Sequence, residues 1–343
     1  MSTTPTDDIA VHYRLTPAEA DEIGAALREA AELCGPPPTD PVFYERNWAL
    51  HDSLPRGLRL FLERFRRTEE AAACCVHGFP VDDGTVGPTP RHWRNADAGP
   101  THPQELFLAM CALALGDPFT WSTLQEGRMV QDIFPVRGDE LRQSGHGSEA
   151  LLEFHTEDGF HPGRADYLLL FGIRNRDDVP TVLSSVRDVK LDAGTARVLS
   201  EPRFLIVPDD EHVRQLRTHD PDHPALERVL GMRDRPQPVP VLFGADAAPY
   251  LRIDRPFMRC VGDDPVAERA LDDLMEELER VQHSVVVGPG TLMVVDNYLA
   301  VHGRKPFRSR YDGTDRWLKR MIVSRDIRRS AAHRMPQSRR VLA

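Results

Sequence analysis

Ala150-Leu151-Leu152-Glu153-Phe154-His155-Thr156-Glu157-Asp158 is the stretch on which the reading turns. Its apolar opening predicts a strand over residues 150–156. Side chains alternate faces along a strand, so His155 and Glu157 project to one side and Phe154 and Thr156 to the other. An imidazole beside a carboxylate supplies two ligands of a 2-His-1-carboxylate set, which suits non-haem Fe(II). A His-x-Glu alone is common, and most such histidines are ordinary surface or core residues. What surrounds this pair decides its weight.

Working outward, short strands are expected over 127–134, 166–173, 181–186, 239–243, 250–253, 284–287, 291–295 and 317–323, with a helix over 265–282. Toward the N-terminus, residues 1–11 read as a ragged tail. Thr16-Pro17-Ala18-Glu19 has the form of a helix start, with Glu19 at capping-box distance, and the helix should reach Cys34. A second helix is expected over 53–67, a buried strand over 71–76, and a helix over 103–115 closed by Gly116-Asp117-Pro118. The expected fold class is α+β with a mainly β core: a double-stranded β-helix (jelly roll) with flanking helices. One domain spans 1–343, with a helical N-terminal flank over 1–118 and the core over 119–330. Residues 208–240, rich in His, Asp, Arg and Pro and with little apolar periodicity, are a candidate lid inserted in that core.

A third metal ligand must come from far along the chain, and the candidate is His302 in Asp296-Asn297-Tyr298-Leu299-Ala300-Val301-His302-Gly303-Arg304. The stretch Arg316-Trp317-Leu318-Lys319-Arg320-Met321-Ile322-Val323 adds a second signal. Arg316, Leu318, Arg320 and Ile322 share one face; Trp317, Lys319, Met321 and Val323 share the other. Cations among bulky apolar groups need anionic partners when buried. Arginine pairs bidentately with carboxylates, so a site for a diacid and an amino acid would use two of them.

His155-Thr-Glu-Asp-Gly-Phe-His-Pro, with Arg164-Ala-Asp-Tyr and Arg174-Asn-Arg-Asp-Asp-Val after it, resembles the clavaminate-synthase-like 2-oxoglutarate oxygenases. The run from Asp296 through His302 to Phe307, then Arg310-Tyr-Asp-Gly-Thr-Asp-Arg316-Trp-Leu-Lys-Arg320, is similar to the same family more sharply. Within it the chain looks most like the β-hydroxylases of arginine, asparagine or enduracididine from peptide-antibiotic pathways. The resemblance implies His155, Glu157 and His302 as Fe(II) ligands and Arg316 as the grip on 2-oxoglutarate, with Thr181 beside it as a further cosubstrate contact. It places the substrate carboxylate on Arg320, the substrate amino group on Gln125 and the substrate side chain on Asp254, with His146 at a position that sometimes touches substrate. Only one acid stands where a guanidinium site can offer two, since the position two beyond Asp254 is Pro256.

The implied reaction consumes 2-oxoglutarate and O₂ and hydroxylates an unactivated C–H, at Cβ or Cγ, of a polar or basic L-amino acid, free or carried on a protein. Desaturation or ring closure would use the same oxidant. A jelly-roll binding protein with a relic site is a rival from another class, and a zinc hydrolase a further one, although the latter leaves the paired arginines unexplained.

Composition narrows the partners. The 343 residues carry a formal net charge of −10, with 41% hydrophobic and 28% charged residues. This is globular composition, and the lack of a basic block speaks against nucleic acid. Five cysteines without a CxxC read as reduced thiols. Met1 to Asp8 is polar and no long apolar run occurs, so neither a signal peptide nor a membrane span is expected and the cytoplasm is the expected compartment.

Overall fold

The structure is a computed structural model, and it describes residues 9–96 and 99–343. Two sheets organise it. The larger has nine strands, and its path runs Ala10–Arg14, Ala73–His77, Leu292–Asp296, Tyr167–Arg174, Trp317–Ser324, Asp117–Trp121, Ser338–Leu342 and Arg334–Met335, with Gln131–Ile133 attached beside Trp317–Ser324. The smaller has four strands, in the order His283–Val285, Thr181–Ser185, Ala300–Arg304 and Leu152–His155.

Tyr167–Arg174 and Trp317–Ser324 are buried at every position, so both faces of the large sheet are covered. The alternation read from the sequence shows in the packing. Leu318 and Ile322 join a core with Val182, Leu183, Ala300 and Val301 of the small sheet. Trp317, Met321 and Val323 join a second core with Phe107 and Leu108 of the helix His102–Leu115. Fully burying a residue of this size is worth roughly 1.5–3 kcal/mol. The turn that feeds Leu292–Asp296 presses against the neighbouring strand: a Cβ at Gly172 would lie 2.0 Å from the Gly288 carbonyl oxygen. Gly290, at φ +71°, would meet the Phe79 carbonyl oxygen at 1.9 Å.

The expected capping box is present: Thr16 and Glu19 cap the helix Pro17–Leu33 reciprocally. Other expectations need correction. Of the tail over 1–11, residues 1–8 lie outside the described residues, but Ala10 already begins a strand paired parallel to Ala73–His77. The N-terminal flank is therefore not purely helical. The helix does stop at Gly116, but Asp117 at once opens a strand that was not read, since Pro118 is tolerated near a strand's start. The strand over 127–134 shrinks to Gln131–Ile133 after a 3-10 turn. The sheet also continues past 330 into Ser338–Leu342. Residues 208–240 hold two helices, Asp210–His219 and Pro224–Asp234.

Candidate active site

His155 ends the strand Leu152–His155, and His302 lies inside Ala300–Arg304, the strand that follows Leu292–Asp296. The two strands pair antiparallel with His302 directly opposite His155. The ladder thus brings two distant histidines together, with ring centroids 4.2 Å apart. Glu157 follows in the outgoing turn, and its Oε2 is 3.5 Å from His302 Nε2. One ligand atom from each of the three residues lies within 4.8 Å of the others.

The protonation states suit a divalent metal. His155 Nδ1 donates to the Glu153 carbonyl at 2.8 Å, which leaves Nε2 with its lone pair. Burial, helped by His155, pushes His302 down to about 3, so its ring is neutral. His302 Nδ1 is buried without a partner among the described residues. Burial works against the Glu157 charge, but Arg320, His302 and His155 outweigh it and hold the carboxyl well below its usual range. Two imidazoles, that of His302 neutral, and an ionised carboxylate fit Fe(II). Asn297 holds the carboxylate's backbone in place: its Oδ1 accepts from Glu157 N at 2.6 Å and its Nδ2 donates to the Glu157 carbonyl at 3.0 Å.

Two adjoining cavities meet at His155 and Glu157. The first is lined by Gln125, His146, Asp158, Asp209, Glu211 and Asp254, with Arg320 as its cation. The second is lined by Thr181, His302, Arg304 and Arg316, again with Arg320. One chamber is therefore rich in carboxylates and the other in guanidinium groups.

In the cationic chamber Arg316 is buried, and Nη2 donates to Thr181 Oγ1 at 3.2 Å while Nε has no partner. Burial, with Arg304 adding repulsion, pushes Arg316 down to about 9. Neither Arg304 nor Arg316 forms an ion pair among the described residues; Arg304 donates only to the carbonyls of Gly147 and Ala150. Arg320 differs. It is ion-paired to Glu157 at 2.6 Å, lies 3.8 Å from Asp158, and donates to Gln131.

In the acidic chamber, Asp254 sits beside His155 through a β-bridge, and its carboxylate accepts no hydrogen bond from the described residues. Burial, then Asp209, Asp158 and Glu157, raise it well above the usual carboxylate range. Asp209 N-caps the helix Asp210–His219 and is likewise raised, first by burial. Gln125 is buried at φ 44°, and its side-chain amide spans both backbone groups of Asp132, with Nε2 3.5 Å from His146 Nε2. Gln215, from the same helix as Glu211, accepts from the Gln125 backbone N–H at 2.6 Å. Asp158 is held by Trp121 Nε1 at 2.6 Å and His212 Nε2 at 3.2 Å.

All nine residues singled out from the sequence thus line these two cavities. Four neighbours were missed. Asp209 adds a further acid to the chamber of Asp254, from the segment read only as a candidate lid. Asn297 and Arg304 lay in quoted motifs without a role. His212, buried between Thr123 and Asp158, gave no signal at all.

Comparison with known proteins fits this geometry. Residues 63–322 match the family model described as taurine catabolism dioxygenase TauD, TfdA family. Enduracididine beta-hydroxylase of Streptomyces hygroscopicus is 42% identical over 304 residues, 85% of this chain and 88% of the relative. L-ornithine/L-arginine 3-hydroxylase of Catenulispora acidiphila is 37% identical over 301 residues, covering 84% and 87%. The non-heme iron oxygenase OrfP, solved with Fe, succinate and (3S)-hydroxy-L-Arg, superposes with a TM-score of 0.89 at 40% identity over 97% of this chain and 99% of that one. OrfP has also been solved with Fe and alpha-ketoglutaric acid, and that structure gives a TM-score of 0.84.

Proposed function

The chain belongs to the TauD/TfdA family of dioxygenases, and we propose that it hydroxylates a basic L-amino acid, arginine or a close relative, at Cβ or Cγ. It is an iron- and 2-oxoglutarate-dependent dioxygenase. Its relatives named for enduracididine and for ornithine and arginine, and OrfP with hydroxy-arginine bound, point to the substrate class. Peptide-antibiotic metabolism is the setting we propose.

The observation that carries this reading is the opposite charge of two chambers that share His155 and Glu157. A dianionic cosubstrate and a cationic amino acid would be drawn to different sides of one centre. We assign His155, Glu157 and His302 as the residues that hold Fe(II). When bound, the metal with 2-oxoglutarate and O₂ supplies the oxidising power that turns a C–H into C–OH, with succinate and CO₂ released.

The chain's own residues bind and aim. Arg316 and Thr181 grip the far carboxylate of 2-oxoglutarate, and Arg304 adds positive field. Arg320 takes the amino-acid carboxylate, and Gln125 with His146 faces the amino group. Asp254 and Asp209 face the cationic end of the side chain. Residues 208–240 act as a lid that carries Asp209 and Glu211 over the chamber and excludes water. The two sheets are read as a double-stranded β-helix, and the whole chain as one oxygenase domain.

A screen of free amino acids with Fe(II), 2-oxoglutarate and ascorbate, read by mass spectrometry, tests the proposal. Arginine or a relative should gain one oxygen while succinate appears. Loss of two hydrogens would replace hydroxylation by desaturation. No succinate with any amino acid would overturn the catalytic reading.

A further inference from the structure

His12, Cys75 and His77 form a second cluster of metal-ligating side chains, away from the site above. The strands Ala10–Arg14 and Ala73–His77 pair in parallel, with His12 beside Cys75 in register. Cys75 and His77 are two apart on one strand and so share a face. One ligand atom from each of the three lies within 4.8 Å of the others. His12 Nδ1 and His77 Nε2 face each other at 3.0 Å with the rings nearly parallel, 20° apart. His12 is exposed, His77 half-buried and Cys75 buried, so the cluster opens toward solvent on the histidine side.

We propose that His12, Cys75 and His77 form a binding site for a thiophilic divalent ion of the zinc class, with solvent as the fourth ligand. Thiolate with imidazole selects Zn²⁺ over hard cations such as Mg²⁺ or Ca²⁺. At bond lengths of about 2.3 Å to sulfur and 2.0–2.1 Å to nitrogen, tetrahedral donors stand about 3.3–3.6 Å apart, so the 3.0 Å nitrogen pair need open only slightly. The exposed His12 can provide that movement. His77 also has the outer contact expected of a ligand, since its Nδ1 is 3.5 Å from Thr291 Oγ1. On binding, the proton shared between His12 Nδ1 and His77 Nε2 moves to the ring nitrogen that faces away from the metal, Cys75 releases its thiol proton to solvent, and two imidazole lone pairs and the thiolate are left to donate. The ion would clip Ala10–Arg14, the edge strand of the large sheet, to its inner neighbour.

The test is cobalt titration of the full-length protein after chelation. Co²⁺ can also enter at His155, Glu157 and His302, but only a thiolate ligand produces near-ultraviolet sulfur-to-cobalt charge transfer. The band should appear in the unaltered protein and in His302→Ala, and vanish in Cys75→Ser. His12→Ala should weaken binding at least about a hundredfold, beyond the usual effect of losing an outer-shell partner. His12 is exposed, so this variant folds even if Cys75→Ser does not. Excess Zn²⁺ should displace the band and, with the other site disabled, raise the Tm of His302→Ala by at least about 2 °C, with no such rise in the double variant His12→Ala/His302→Ala. Absence of a thiolate band in the unaltered protein, or its persistence in Cys75→Ser or at full affinity in His12→Ala, would overturn the site.

Discussion

Arg316, just before the strand Trp317–Ser324, and Arg320 within it line the same chamber, yet their surroundings differ. Arg316 has a hydroxyl and an unpartnered Nε, while Arg320 already has Glu157 at 2.6 Å. A buried guanidinium without a carboxylate is costly until an anion arrives, so Arg316 depends on its ligand more completely. Arg316→Ala should raise the KM for 2-oxoglutarate by about 10- to 150-fold, the loss of a charge-assisted bond of roughly 1.5–3 kcal/mol, and leave the amino-acid KM within a few-fold. Arg320→Ala should do the reverse to the amino acid and also loosen Glu157, so it should weaken Fe(II) as well. Steady-state kinetics with each cosubstrate varied in turn checks this; one shared effect on a single KM would end the division of roles. This pair was legible in the sequence as two cations close together in a strand-forming apolar run, although an irregularity between Trp317 and Leu318 breaks the simple alternation. Asp209 was not, because nothing local tells a helix-capping aspartate from one that also faces a cavity.

Trp317–Ser324 carries the same logic at the scale of an element. Its reverse face holds Lys319, fully buried, with Nζ 2.8 Å from Glu105 and 2.7 Å from Asp132. Asp132 in turn anchors the Gln125 amide through its backbone. Lys319→Met strands two buried carboxylates, and unfolding stability should fall by about 3–5 kcal/mol; a loss under about 1 kcal/mol in denaturant titration would show that the pair relaxes freely.

The turn after Leu292–Asp296, which delivers Asn297 and then His302, makes a pH prediction. Asp296 is raised to about 7, chiefly by burial, although Tyr298 N and Leu299 N donate to it. A carboxyl raised on folding stabilises the protein most below its ordinary unfolded value, and that contribution is lost as pH rises through about 7. Asp296→Asn should therefore flatten the fall in Tm between pH 5 and 8. A Tm profile identical to that of the unaltered protein would remove Asp296 from the titration.

Elements with strong periodicity or chemical punctuation were read almost to their ends, as Pro17–Leu33 and Tyr167–Arg174 show. Asp210–His219 was not: its buried positions include Glu211, His212 and Gln215, polar residues that satisfy one another and the core. With only Val213 and Leu216 as buried apolar positions, the helix shows too narrow an apolar stripe to find.

Across the whole molecule, substrate choice follows from the contrast between chambers. Asp254 accepts no hydrogen bond from the described residues, and its proton affinity is raised by burial and by Asp209, Asp158 and Glu157. A bound cation beside Asp254 and Asp209 would offset that repulsion, whereas leucine would leave Asp254 without a partner. Arginine should therefore exceed leucine in kcat/KM by tenfold or more, from the roughly 1–3 kcal/mol that an unpaired buried polar group costs. Asp254→Asn and Asp209→Asn should each raise the KM for arginine by about tenfold or more and affect a neutral amide such as asparagine much less. Because the cation prefers an ionised partner, arginine binding should strengthen as pH rises through the Asp254 titration and release a proton below it; Asp254→Asn should flatten this pH dependence. Calorimetry in buffers of different ionisation enthalpy reads the released proton directly. Equal losses for arginine and asparagine in Asp254→Asn, or a preference of the unaltered enzyme for aliphatic amino acids, would mean that the acidic chamber does not select the substrate. In that case the charge of residues 208–240 would serve packing alone, through contacts such as Arg214 with Asp139 and Glu211.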